Sequence, residues 1–258
     1  MIKRLIDKNR TIYATLMILV GWLLLHYSLN SAVVPHPLAA INVFLSLITG
    51  SLWPHLGASF ARIFISVVIA VLVGTTIGLW LGLHERYDRL FGPIIYLLFP
   101  LPKIAFLPIF MILFGLGNRS KIILITVIIV FQLLVSIRDS VKGLNQMLFY
   151  SIQSLGATKW QSYRHLILPA ILPKLLTALR ISVGTSISVL FFAENYATTY
   201  GIGYFIMDAW IRIDYLDMYA GIIAISLLGL LIFKGIDLIE RILCHWALLE
   251  KGNQESYF

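Results

Sequence analysis

Residues 150–173, YSIQSLGATKWQSYRHLILPAILP, are a polar, basic interruption between two hydrophobic stretches of the chain. From Gln146 to Leu155 the pattern suits a helix, and Gly156 then supplies the permissive backbone of a turn. Thr158 is placed to cap a second helix that opens with Lys159-Trp160. Pro169 and Pro173 are expected to interrupt the approach to the next span. The predicted unit is a short helix, a turn and a second helix lying on one membrane face. Leu155, Ala157 and Trp160 would offer apolar knobs to a partner's groove. Lys159 and Arg164 would meet lipid phosphate or an acidic partner. On these residues alone, an amphipathic connector with no protein partner fits equally well.

The composition around this insert is that of a membrane protein. Of the 258 residues, 59% are hydrophobic and 12% charged, against about 25% charged in a soluble domain. The mean hydropathy is +0.90. A spanning helix needs about 20 apolar residues. Six of them leave room for loops and for no separate soluble domain, so one transmembrane domain over residues 1–258 is expected.

The chain divides into six candidate spans, at about 11–29, 59–83, 90–115, 121–137, 174–192 and 218–239. The basic prelude Lys3, Arg4, Lys8 and Arg10 resembles a signal peptide, but the apolar run behind it is too long and no small-x-small cleavage site follows. Cytoplasmic loops retain Lys and Arg. With the N-terminus inside, the first outside loop, about 30–58, carries neither, and the last, about 194–217, carries only Arg212. Arg119 and Lys121 break the pattern mildly in a tight outside turn. The loop at about 138–173 then falls inside with Arg138, Lys142, Lys159 and Arg164, and both termini are cytoplasmic. The net charge of +8 faces an anionic leaflet in this arrangement and needs no nucleic acid to explain it.

Several chemistries are excluded. The single cysteine, Cys244, rules out an internal disulfide or a cysteine metal cage. The six histidines never fall at i, i+4, so no metal site is expected. No G-x-x-x-x-G-K-[ST] loop is present, so any ATP must be bound by another polypeptide. No acid, base and nucleophile converge in the sequence, and no enzymatic activity is expected of this chain.

Three ordered segments carry a resemblance. Ser154-Leu155-Gly156-Ala157-Thr158-Lys159-Trp160-Gln161, with Leu166-Ile167-Leu168-Pro169-Ala170 behind it, resembles the coupling signature of importer-type ATP-binding-cassette (ABC) permeases. Pro100-Leu101-Pro102-Lys103-Ile104-Ala105 resembles the third span of their nitrate/sulfonate/taurine branch, and Ala193-Glu194 with Gly201-Ile202-Gly203-Tyr204 resembles the start of its last outside loop. The resemblance implies an all-α, polytopic inner-membrane permease of about six transmembrane helices. Gln153, Ser154, Leu155, Gly156, Ala157, Thr158, Lys159 and Trp160 would couple it to an ATPase. It further implies a second copy of this chain, two cytoplasmic ATPases holding ATP and Mg, and an outside solute-binding protein. The branch signature opens Glu-Ala-Ala six residues before its glycine. Here those positions are Tyr150, Ser151 and Ile152, which removes one acidic contact to the ATPase.

Within the third span, Pro100, Pro102 and Pro108 divide or bend the helix and Lys103 sits at the break. Broken helices with free backbone groups commonly line a substrate cavity, so Pro100, Pro102 and Lys103 are candidates for the solute pathway, and Glu194, a charge at the end of a span, is another. Lys103 could attract an anion or, as a kinked-helix lysine, snorkel to the interface. Arg62, Arg180 and Glu194 are charges that an Arg–Glu pair would hold in the membrane. Lys234 and Asp237, one turn apart, are expected to neutralise one another. Gly74, Gly78 and Gly82 share a helix face and predict a close packing seam. The aromatics between Tyr196 and Tyr215 predict an interfacial belt. The expected role is import of a small anion such as a sulfonate, taurine or nitrate; bicarbonate and vitamin-precursor import share the resemblance. A self-sufficient secondary transporter or channel is the alternative from another class, separated by dependence on an ion gradient instead of ATP.

Overall fold

The computed structural model describes residues 10–246. Lys3, Arg4 and Lys8 of the basic prelude, and both chain termini, lie outside the described residues. Every regular element described is helical. In order they are α1 (Arg10–Leu29), α2 (Pro37–Ile48), α3 (Leu52–Leu83), α4 (Glu85–Leu98), α5 (Leu107–Phe114), α6 (Asn118–Lys142), α7 (Gln146–Ser154), α8 (Lys159–Ser162), α9 (Leu168–Glu194), α10 (Ile202–Ile211) and α11 (Tyr215–Leu243). A 3₁₀ turn, Lys103–Phe106, precedes α5, and a π-helical turn, Tyr163–Ile167, joins α8 to α9. Five helical runs can cross a bilayer, and a sixth does so if α4 and α5, bent by 84° at their junction, form one broken span.

The core lies where α3, α6 and α9 meet. Ile125, Ile129, Leu133 and Ile137 recur every four residues on α6 and are fully buried against Ile63 and Ala70 of α3 and Val183 and Leu190 of α9. Lipid is as apolar as these side chains, so close packing must hold the helices together. Gly74, Gly78 and Gly82 provide it on α3. A Cβ at Gly78 would stand 2.8 Å from the backbone oxygen of Leu134, and one at Gly82 2.8 Å from the Cβ of Val141. The seam lies between α3 and α6 of one chain.

Several expected boundaries need correction. The second span begins at Leu52, because Pro54 falls in the first turn of α3, where its missing N–H leaves no bond unmade. Pro108 likewise sits at the start of α5 and does not bend it. Pro169 and Pro173 do not interrupt the fifth span: the run Lys159–Glu194 is continuously helical. The wider π-helical turn just upstream leaves room for Pro169 at the start of α9. Residues 30–58 contain all of α2 and the first turns of α3. α2 buries Phe44 in a cluster with Phe205 and Ile206 of α10 and Ala224 of α11.

Candidate functional site

The insert is built for exposure. The Asn145 side chain caps α7 by accepting the N–H of Met147 at 2.9 Å. Gly156 takes the turn with φ +76°, a conformation that favours glycine. Thr158 and Gln161 then cap each other's backbone reciprocally, Gln161 Oε1 accepting the Thr158 N–H at 2.8 Å. This scaffold leaves Leu155 84% and Trp160 67% exposed, while Ala157 is half-buried. Trp160 stacks on Tyr163 at 5.5 Å between ring centroids. Gln153, Ser154 and Lys159 are exposed on the same unit.

At the far end of α9 the chemistry reverses. Glu194 is fully buried, and its carboxylate accepts from Ser59 Oγ at 2.8 and 2.9 Å and from the Gly203 N–H at 2.9 Å. Arg62 of α3 pairs with it directly. The same guanidinium donates to Asn118 Oδ1 at 2.7 Å and to the Tyr200 carbonyl at 2.8 Å. Ser59 Oγ also accepts the Ile202 N–H at 2.9 Å, and the His55 ring nitrogen Nδ1 lies 3.1 Å from the Gly201 nitrogen. Lys121, also buried, reaches the Leu116, Gly117 and Ala197 carbonyls at 3.3–3.4 Å. These bonds tie the segment after α9 onto α3 and the start of α6. The carboxylate is enclosed and its oxygens are engaged, an arrangement that anchors the segment after α9.

The remaining candidates are dispersed. Pro100 and Pro102 lie in the turn between α4 and the 3₁₀ turn. Lys103 donates to the Phe99 carbonyl at 2.7 Å, and its ammonium stands 4.9 Å from the Phe131 ring centroid. It borders a small cavity of about 280 Å³ whose other walls include Leu98, Phe106, Phe110 and Phe131. The pairing expected of Lys234 and Asp237 is not formed. Asp237 and Glu240 instead both accept from Arg180, each at 2.6 Å, because α9 runs beside α11. Tyr196, Tyr200 and Trp210 are exposed as a belt requires, but Phe205 is buried and Tyr204 stacks on His55. Residues overlooked in the sequence include Ser59, His55 and Asn118, and also Asp88, which Lys142 reaches at 2.6 Å and Arg138 at 2.5 Å. Asp88, Arg138 and Lys142 had one legible signal, charge at span ends; Ser59 and Asn118 had none.

Residues 70–245 match the family described as binding-protein-dependent transport system inner membrane component. Among curated relatives, the chain is 35% identical over 196 residues to the taurine transport system permease protein TauC of Escherichia coli, covering 76% of this chain and 71% of that one. It is 31% identical to the putative aliphatic sulfonates transport permease protein SsuC of Bacillus subtilis, over 86% of this chain and 81% of that one. It is 30% identical to the formylaminopyrimidine transport permease protein ThiX of Halalkalibacterium halodurans, over 82% and 85%. Among solved structures, the MetNI methionine ABC transporter in an inward-facing form shares the fold, with a TM-score of 0.65 at 20% identity over 74% of this chain and 95% of that chain. A family match over more than half its length, with relatives aligned over most of both chains, establishes that this multi-pass membrane chain belongs to the binding-protein-dependent transport system inner membrane components.

Proposed function

We propose that the chain is the membrane subunit of an ATP-driven importer for a small sulfonate-, taurine- or nitrate-like anion. Two copies would form the pathway, two cytoplasmic ATPases would bind ATP and Mg, and an outside binding protein would deliver the solute. The family match and the names of the relatives support this reading. The observation that carries the coupling role is the insert itself. A rigidly capped helix–turn–helix that presents Leu155 and Trp160 to the surroundings is costly to leave bare, and it suits a groove in a partner. ATP binding would draw the ATPases together and move both inserts, switching the bundle between two rigid-body states. Lys103, beside the break in the α4–α5 span, is the proposed attraction for the solute's negative charge, with Pro100 and Pro102 holding the break open. Glu194 is assigned to anchoring the segment after α9.

The test is co-purification from the native membrane in nanodiscs, with bound subunits identified by mass spectrometry. Leu155 and Trp160 are exposed, so Leu155→Asp and Trp160→Asp should leave the fold intact while removing a bound ATPase that the parent chain retains. In the same preparations, Lys103→Gln should lower solute uptake without loss of the ATPase. Recovery of no ATPase with the well-folded parent chain, together with uptake driven by an ion gradient, would refute the importer reading.

A further inference from the structure

Neither the insert nor the anchor explains a cleft of about 630 Å³ bounded by α6, α9 and Glu240 of α11. Its size falls within the range of about 300–1,000 Å³ typical of small-molecule sites. Gln132, Ser136 and Ser140 stand one above the other on α6, spaced every four residues, and face Lys174 and Thr177 of α9. They occupy the half of the bundle next to the insert. Lys174 and Glu240 are ionisable groups lining the same space, and ionisable residues within a membrane bundle mark a solute or ion route by default.

The two ends of the cleft differ in their hydrogen bonding. Lys174 is exposed and has no partner among the described residues, so its ammonium is available to an anionic group. Gln132 Oε1 is buried with no hydrogen-bond donor, an acceptor waiting for one. Thr177 and Ser140 spend their hydroxyl protons on the carbonyls of Pro173 at 3.0 Å and Ser136 at 2.6 Å, which leaves their oxygens as acceptors. Glu240 adds a carboxylate. It shares Arg180 with Asp237, so that trio carries one excess negative charge. One free cation, one excess negative charge and an orphaned acceptor therefore line the same space.

We propose that this cleft is a solute-holding site for a short zwitterion, with an oxyanion group at Lys174 and an ammonium toward Gln132 Oε1 and Glu240. The proposal rests on the importer reading and sharpens it: an amino sulfonate fits, and a solute carrying only negative charge fills half of the site. Lys103 then serves an approaching anion and Lys174 the held one.

Cys244 is fully buried, so the parent chain serves as an unlabelled blank for an introduced thiol. Ser136→Cys and, on the opposite wall, Thr177→Cys are to be labelled with N-ethylmaleimide in nanodiscs, with taurine, ethanesulfonate or ethanolamine as protectant. Both thiols should label, and taurine should protect at several-fold lower concentration than either half-molecule. Lys174→Gln should raise the protecting concentration of taurine several-fold and abolish protection by ethanesulfonate, while that of ethanolamine stays unchanged. Failure of both thiols to label in folded protein overturns the site. Equal protection by taurine and ethanesulfonate overturns its zwitterionic character. Co-recovery of the ATPase from the same preparations separates the two readings: an ATPase present with no protection refutes the cleft and leaves the importer standing.

Discussion

Glu194 is a charge with nowhere to go but its partners: Arg62, Ser59 and the Gly203 N–H consume its oxygens. Removing one member of a buried pair leaves the other uncompensated, at a cost of about 3–5 kcal/mol. Glu194→Ala should therefore lower the melting temperature in detergent strongly. Ser59→Ala, which loses hydrogen bonds but no charge, should cost about 1–3 kcal/mol. Gly201→Ala belongs with the severe class, because its Cβ would fall on the Glu194 carboxylate. Melting curves for all three that overlay the parent chain would remove the anchor. The need for an Arg–Glu pair was legible, since a lone charge within a span is expensive. The identity of the rest was not, because Ser59 and Glu194 stand 135 positions apart and serine alone carries no signal of what it faces.

The spacing of Gly74, Gly78 and Gly82 made a helix contact legible, and the consequence can be measured at the level of the helix pair. A side chain at Gly78 meets the α6 backbone, which cannot turn aside as a side chain can. Gly78→Leu should push α3 from α6 and destabilise the bundle by about 1–3 kcal/mol. Gly235, in α11, has nothing within 4 Å of its Cβ position. Gly235→Ala should stabilise by up to about 1 kcal/mol through helix propensity. Opposite shifts in thermal melting are expected, and equal shifts would mean the seam is not tight. Element ends were harder to read than element existence. Proline signals a break only where its N–H would have been bonded, so Pro54 and Pro108 sit harmlessly in first turns while the turn containing Pro100 and Pro102 does break its span. The partner of Asp237 differs from the expected one for another reason. Sequence proximity favours Lys234, but helix packing puts Arg180 within 2.6 Å.

Across the whole molecule, one rod joins the two most distinctive regions. The helical run Lys159–Glu194 spans 36 residues, about 54 Å at about 1.5 Å per residue. It begins in the exposed insert, passes the cleft at Lys174 and Thr177, and ends in the buried anchor at Glu194. In the proposed importer, a push on the insert would reach the opposite end of the bundle without crossing a loop. The π-helical turn Tyr163–Ile167 is the one departure from α geometry along this rod, and Arg164 and His165 are exposed there. Replacing both with glycine adds backbone freedom worth about 1 kcal/mol per site and removes no buried contact. The double variant Arg164→Gly, His165→Gly should therefore retain its ATPase and go on hydrolysing ATP, while moving less solute per ATP as the softened joint absorbs the motion. Reconstituted vesicles that report uptake and hydrolysis together measure that ratio. A ratio equal to the parent chain's would mean that the push travels by another route, with the contact between α6 and α9 the next to break.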